Sequence, residues 1–176
     1  MTRKSKKKSR DTRLFTLEVL LIGGPVAEEF IKQNPEISRT IQIRGGQTLG
    51  DLHDAIFYAF GRDDEHLYDF QIGGKEPHDP NAMSYTHPMG TENLFGEPAN
   101  DAERTSIGSL GLKVKQMFFY WFDFGDDWWH QIKVVAIDDE TPEGKYPKVI
   151  KQVGKSPPQY FGWDEEDEED EEDEED

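Results

Sequence analysis

The sequence contains no cysteine, which excludes disulfide bonds and thiolate zinc sites. It also lacks an apolar run of about 18 residues, the length that a membrane-spanning helix requires. The basic N-terminus has no apolar segment of the kind found in a secretory signal peptide. These absences lead us to expect a cytoplasmic protein without membrane contact.

The charged ends divide the 176-residue chain into three parts. Residues 1–13 are rich in lysine and arginine, have no hydrophobic periodicity, and are predicted to form a disordered arm. Residues 164–176 are all Asp or Glu, and repulsion between these charges predicts a disordered tail. Residues 14–163 remain, and this length is sufficient for one domain with a buried core.

A central β-hairpin is predicted over residues 116–137, where aromatic residues are densest. An acidic turn that contains glycine, at residues 123–127, separates its two arms. Both phases of the first arm are apolar, which predicts a strand covered on both faces. In the second arm His130 shares a phase with Trp128 and Ile132, so its side chain is expected to point inward. An exposed stacking platform is the alternative to a core role for Phe119, Trp121, Trp128 and Trp129.

Outside the hairpin, the sequence pattern predicts strands at residues 14–22, 39–43 and 66–72. The clearest helix is predicted from Thr48 to Phe60, with Thr48 as its N-cap and Asp51 in a capping-box position.

This order of elements favours an α+β fold in which one main helix packs on a mixed or antiparallel sheet. In element order it is like a β-grasp roll with insertions. Residues 73–105 are predicted to be a long loop, and the segment that ends at Trp163 is expected to pack on the domain.

Three segments of the chain resemble one known family: TLGDLHDAIFYAFG at 48–61, EHLYDF at 65–70 and FYWFDFGDDWWHQIKV at 119–134. That family is the plasmid pRiA4b ORF-3-like family, also described as the passenger protein of certain insertion elements. Its pattern has a Leu-His pair on a helix, a His-Leu pair followed by Phe, and a Tyr-Asp-Phe-Gly-Asp-x-Trp-x-His hairpin. Phe122 stands where that hairpin has Tyr. The resemblance implies an α+β fold and association with mobile elements, and it implies no activity.

Five polar residues in these motifs are candidates for chemistry: His53, His66, His130, Asp123 and Asp126. The three histidines are each predicted to point inward, and imidazoles that converge with a carboxylate could bind Zn²⁺ or another divalent metal. His53, His66, His130 and Asp126 could instead act as general acids and bases. The alternative is structural: the histidines form hydrogen bonds that hold the fold, and the aspartates cap their own turn.

The basic arm is a candidate for nucleic-acid contact, because lysine and arginine neutralise phosphates. Its candidate residues are Arg3, Lys4, Lys6, Lys7, Lys8, Arg10 and Arg13. The chain has no phosphate-binding loop, dinucleotide fingerprint or serine-hydrolase motif, so no cofactor other than a divalent metal is predicted. A binding or accessory domain with a protein partner is therefore favoured over an enzyme. The alternatives are a metal-dependent or His/Asp hydrolase, and nucleic-acid association through the arm.

Overall fold

A computed structural model describes residues 11–90 and 99–160 of the chain. In this part, eight strands form a single sheet: β1 (Leu14–Gly23), β2 (Ser38–Arg44), β3 (Tyr68–Ile72), β4 (Met83–Thr86), β5 (Asn100–Asp101), β6 (Met117–Phe122), β7 (Trp128–Asp138) and β8 (Lys148–Val153). The helices are α1 (Glu28–Gln33) and α2 (Leu49–Ala59), accompanied by 3₁₀ turns at Ala102–Arg104 and Ile107–Leu110. None of the helices in the described ranges is long and apolar enough to cross a membrane.

The strands lie in the order β5-β4-β3-β6-β7-β1-β2-β8 across the sheet. Neighbouring strands are antiparallel, except that β4 and β5 run parallel. The predicted α+β class, with a mostly antiparallel sheet and one main helix, is confirmed. The likeness to a β-grasp roll is limited to the order of the elements along the chain. It does not extend to the strand pairing, because β1 pairs antiparallel with β7.

The predicted hairpin is formed by β6 and β7 and lies in the middle of the sheet. Its last pair joins Phe122 to Trp128, so the turn occupies residues 123–127 as predicted. Asp123 and Asp127 have positive φ angles of 59° and 56°, a conformation that aspartate tolerates better than most residues. The Asp123 carboxylate accepts hydrogen bonds from the backbone N–H groups of Gly125 and Asp126. Asp123 therefore stabilises the turn through its side chain.

Both faces of β6 are covered. Phe118, Tyr120 and Phe122 belong to the hydrophobic core, in which α2 also takes part. On the opposite face, Trp121 stacks on Trp129 with ring centroids 5.0 Å apart.

The burial of the hairpin aromatic residues decides between a core role and an exposed stacking platform. The exposed fractions are 5% for Phe119, 3% for Trp121 and 0% for Trp128, while Trp129 is half-buried. The interpretation of these aromatic residues as core is confirmed for the first three.

Helix α2 has defined contacts at both ends. Its N-cap, Thr48, accepts a hydrogen bond from the Asp51 N–H, and the Asp51 carboxylate accepts one from the Thr48 N–H. The predicted capping box is thus confirmed. At the other end, the buried Arg39 donates a hydrogen bond to the carbonyl oxygen of Ala59. The capping box stabilises the start of α2, and the Arg39 hydrogen bond joins its end to β2.

Two boundaries differ from the sequence-based expectation. Strand β3 begins at Tyr68 rather than at His66, because only residues 68–72 pair with neighbouring strands. Residues 73–105, predicted to be a loop, contain the short strands β4 and β5. These strands form because β4 pairs with β3 and β5 pairs with β4.

The domain also extends further towards the N-terminus than residue 14. The carbonyl oxygens of Asp11 and Arg13 accept hydrogen bonds from Gly46 and Gly45, so residues 11–13 are tied to the fold. The rest of the predicted arm and the predicted acidic tail lie outside the described residues.

The segment after β8 returns to the helix–strand junction. Gln159 is buried there and accepts hydrogen bonds from the N–H groups of Asp63 and Asp64, while its amide donates to the Asp64 carbonyl oxygen. The expected packing of this late segment on the domain is confirmed for the described part.

Candidate functional site

A cleft of about 770 Å³ opens beside the N-terminal half of α2 and the segment that leads into β3. Among the described residues that line it are three histidines, His53, His66 and His87. Four carboxylates also line it: Asp51, Asp54, Glu65 and Glu103. No lysine or arginine belongs to this described lining, so the electrostatic potential of the cleft favours cations.

His53 projects from α2 into the innermost part of this cleft, with its side chain only 5% exposed. Its ring stacks on Tyr68 at 3.9 Å between centroids. The Nδ1 atom lies 2.6 Å from the Tyr120 hydroxyl oxygen, and Nε2 lies 2.8 Å from an oxygen of Glu65. A carboxylate only accepts hydrogen bonds, so the Nε2–H group donates to Glu65 and Nδ1 accepts from Tyr120. A hydrogen-bonded chain therefore runs from the core to the cleft.

Burial lowers the pKa of His53, and the hydrogen bond to Glu65 opposes this effect. The imidazole is thus neutral at neutral pH. The Tyr120 hydroxyl behind it is fully buried, and burial raises its pKa well above the ordinary value. Together, His53 and Tyr120 hold a neutral imidazole in a fixed orientation, with its Nε2 atom on the side of the cleft.

Two carboxylates lie close to this ring at the edge of the cleft. One side-chain ligand atom from each of His53, Asp54 and Glu65 lies within 4.8 Å of the other two. His53 is buried, whereas both carboxylates are exposed. This mixed donor set is therefore open to the solvent on one side.

The third histidine of the cleft, His87, lies in the segment that the sequence predicted as a long loop and was not among the candidate site residues. It follows β4, and the pairing of β4 with β3 brings it beside Tyr68, with ring centroids 6.1 Å apart. Its Nδ1 accepts a hydrogen bond from the Met89 N–H, and its Nε2 lies 3.4 Å from Glu103. No local sequence signal identifies His87, because its position depends on this strand pairing.

His66 is exposed, although the sequence predicted an inward side chain. It lies just before β3, where strand alternation does not yet apply. Its Nε2 lies 3.4 Å from an oxygen of Asp123 and 3.0 Å from the Tyr160 hydroxyl. His66 thereby links the edge of the cleft to the hairpin turn and to the C-terminal segment.

His130 points inward as predicted, but it belongs to the core rather than to the cleft. Its Nδ1 lies 3.4 Å from the Tyr120 carbonyl oxygen, and its Nε2 lies 3.4 Å from the Arg62 guanidinium. Burial, together with the Arg62 charge, lowers the pKa of His130 well below its ordinary value. Arg62 is itself buried and lies 3.9 Å from the Trp128 ring centroid. His130 thus helps to pack the hairpin against the end of α2.

Asp126 and Arg13 are not among the described residues that line this cleft. Asp126 is in the hairpin turn. Of the predicted nucleic-acid contacts, Arg13 forms an ion pair with Asp11 at 2.6 Å. The other six, Arg3, Lys4, Lys6, Lys7, Lys8 and Arg10, lie outside the described residues. The predicted histidines therefore have three different sets of partners, and only His53 and His66 line the cleft.

The fold and the cleft together define an α+β domain whose antiparallel sheet carries an acidic cleft that contains histidines. The family described as plasmid pRiA4b ORF-3-like protein matches residues 29–168. This match covers most of the chain, and the chain belongs to that family. The resemblance found in the sequence motifs is confirmed.

Two similar proteins extend this comparison. The chain is 27% identical over 130 residues to "Uncharacterized protein y4hQ" of Sinorhizobium fredii (strain NBRC 101917 / NGR234). That alignment covers 73% of this chain and 60% of the relative, so the chain spans less than two thirds of that protein.

A solved structure supports the fold alone. It is the crystal structure of the protein of unknown function MM3350 from Methanosarcina mazei Go1, at 20% identity and a TM-score of 0.66. The likeness covers 84% of this chain and 74% of the other. The overall fold is therefore similar to that of a distant protein.

Proposed function

We propose that this domain is a binding module that takes a cationic ligand in the acidic cleft beside α2. The carrying observation is the described lining, which has four carboxylates and no lysine or arginine. A cation entering this cleft gains attraction from several carboxylates at once, whereas an anion is repelled.

The size of the cleft also suits a bound ligand. Its volume of about 770 Å³ falls within the range of about 300–1,000 Å³ that small-molecule sites have. Its inner wall is formed by the buried rings of His53 and Tyr68, and its edge by exposed carboxylates. A rigid wall with charged groups at its edge favours selective binding over diffuse attraction.

The hydrolase alternative receives less support from the geometry. It requires His53, His66, His130 and Asp126 to act at one place. His130 instead contacts Arg62, His66 contacts Asp123, and Asp126 is not among the described residues that line the cleft. A binding role needs no such convergence.

A cytoplasmic location and an association with mobile elements stay predictions.

Calorimetric titration of the full chain tests this proposal. The ligands are Zn²⁺, spermidine and an arginine-rich hexapeptide, with citrate as the anionic control. The cleft variant carries Glu65→Gln and Glu103→Gln, and the control variant carries Glu28→Gln and Glu29→Gln on α1. Both double variants lose the same charge and keep the acidic tail. The four substituted residues are exposed.

The expected result is that at least one cation binds about tenfold more weakly to the cleft variant and unchanged to the control. Citrate is expected not to bind. Equal losses in the two double variants would contradict the proposal, because they would assign cation binding to net charge rather than to the cleft.

A further inference from the structure

Within the cleft, the residues at its inner end have the chemistry of metal ligands. We infer that His53, Asp54 and Glu65 form a site for a divalent transition-metal ion, with Zn²⁺ or Mn²⁺ as the matching class. This inference rests on the proposed cation binding and names the site and the ligand class.

The spacing of the donor atoms suits one shared ion. Zinc bonds to imidazole nitrogen and carboxylate oxygen are about 2 Å long, so two ligands on opposite sides of one ion are about 4 Å apart. The three donor atoms already lie within 4.8 Å of one another. Glu65 has 59% of its side chain exposed, and Asp54 is exposed as well, so rotation of these side chains can close the remaining gap.

His53 is held in the orientation that a metal ligand needs. Stacking on Tyr68 fixes the plane of the ring, and the contact of Nδ1 with the Tyr120 hydroxyl fixes its rotation. Ligand histidines commonly use one ring nitrogen for the metal and the other for a hydrogen bond to a buried group.

Here Nε2 is the nitrogen directed at Glu65. When an ion binds, it takes the Nε2 lone pair, so the ring proton moves from Nε2 to Nδ1. The Nδ1–H group then donates to the Tyr120 oxygen, and the Tyr120 hydroxyl hydrogen rotates away from the ring. The imidazole stays neutral throughout, so no net proton leaves the ring.

The donor set also selects the class of metal. Carboxylates suit Mg²⁺, Ca²⁺ and Mn²⁺, whereas imidazole suits zinc and other transition metals, so the mixed set of one imidazole and two carboxylates fits Zn²⁺ or Mn²⁺. With three protein ligands, one side of the ion would face the open cleft. Water or an anionic group of a larger ligand can occupy the free positions.

Metal titration of the full chain, stripped of metal, tests this site. Zn²⁺ and Mn²⁺ affinities are measured by calorimetry for the unaltered chain and for Asp54→Asn, Glu65→Gln and Glu28→Gln. The last variant is the matched control, because Glu28 is an exposed carboxylate on α1 that is not among the described residues lining the cleft. In parallel, ¹H–¹⁵N spectra of the histidine rings report which nitrogen binds the ion.

The expected result is one tight site whose affinity falls about tenfold or more in Asp54→Asn and Glu65→Gln and changes little in Glu28→Gln. The His53 Nε2 resonance is expected to shift on Zn²⁺ addition. Equal weakening by all three variants, or an unmoved His53 resonance, would overturn the site.

The two proposals fail in distinguishable ways. If Zn²⁺ leaves the His53 resonance unmoved while spermidine or the hexapeptide still binds in the cleft, the metal site is wrong and the cationic cleft stands. If no cation responds to the cleft substitutions, both are wrong.

Discussion

Asp69 differs from the cleft carboxylates because it is buried with incomplete hydrogen bonding. It lies on β3 and is 3% exposed. One carboxylate oxygen accepts hydrogen bonds from Gln71 and Ser84, and the other has no hydrogen-bond partner among the described residues. Burial raises the pKa of Asp69 to about 6 from an ordinary value near 3.8, with these hydrogen bonds opposing the change. The charged form of Asp69 therefore destabilises the fold at neutral pH.

This shift predicts a specific pH dependence of stability. Between about pH 4 and pH 6 the folded state holds the Asp69 proton more tightly than the unfolded state, so the free energy of unfolding falls as pH rises. A shift of about two pH units corresponds to about 2 to 3 kcal/mol. We expect the difference in unfolding free energy between Asp69→Asn and the unaltered chain to grow by that amount, in favour of Asp69→Asn, from pH 4 to pH 7. Urea unfolding measures this difference.

The control for this experiment is Glu76→Gln, which makes the same chemical change at an exposed position. Its stability difference from the unaltered chain is expected to stay nearly constant over the same pH range. If the Asp69→Asn curve runs parallel to that of the unaltered chain, the buried carboxylate does not titrate near pH 6.

At the scale of elements, the position of α2 determines the position of the cleft. The helix has only 11 residues, and a helix of this length is marginal without tertiary contacts. Its N-terminal turn carries the capping box, and its apolar side chains Leu49, Leu52 and Ile56 are buried. Burial and capping together hold His53 against Tyr68 of β3 and Tyr120 of β6.

Removal of the cap is expected to destabilise the domain. Thr48→Ala leaves the Asp51 N–H without its acceptor, which should lower the free energy of unfolding by about 1 kcal/mol. Thr48→Ser retains the hydroxyl oxygen and should lose much less. Urea unfolding of both variants measures the difference. A similar loss in both would mean that packing of the threonine methyl group, and not the cap, is responsible.

At the scale of the whole molecule, the charge distribution is uneven. The chain has a formal net charge of −17, yet its first ten residues contain six lysine or arginine residues and no acidic one. Arg13 differs from these six, since it is paired with Asp11 and donates to the Gly108 carbonyl oxygen. Any attraction for nucleic acid should therefore come from residues 1–10 and not from the domain.

Deletion of residues 1–10 is expected to abolish binding of labelled single-stranded DNA at low salt, as measured by fluorescence anisotropy. For the unaltered chain, the logarithm of affinity should fall with the logarithm of salt concentration, with a slope up to about −4 if all six cations neutralise phosphates. Arg13→Ala is the control and should leave that slope unchanged. Binding that survives the deletion would contradict a role for the arm.

Much of the architecture follows from the sequence because it depends on neighbouring residues. A dense aromatic run and an acidic turn that contains glycine predict the β6–β7 hairpin, and the Thr48–Asp51 spacing predicts the start of α2. Two of the three family motifs lie on these same elements, and the third lies at the start of β3. Local periodicity and capping act over a few residues, so a single sequence suffices to find them.

The partners of the histidines were decided by the tertiary structure. Strand alternation correctly predicts that His130 points inward, but it does not reveal the buried Arg62 that it meets. His53 meets Tyr120, which is 67 residues away in the sequence, and His87 reaches the cleft only because β4 pairs with β3. The order of strands across the sheet sets these distances, and periodicity carries no information about that order. The sequence by itself therefore determined the central hairpin, α2 and the family, whereas the packing of α2 and β4 against the sheet determined the cleft.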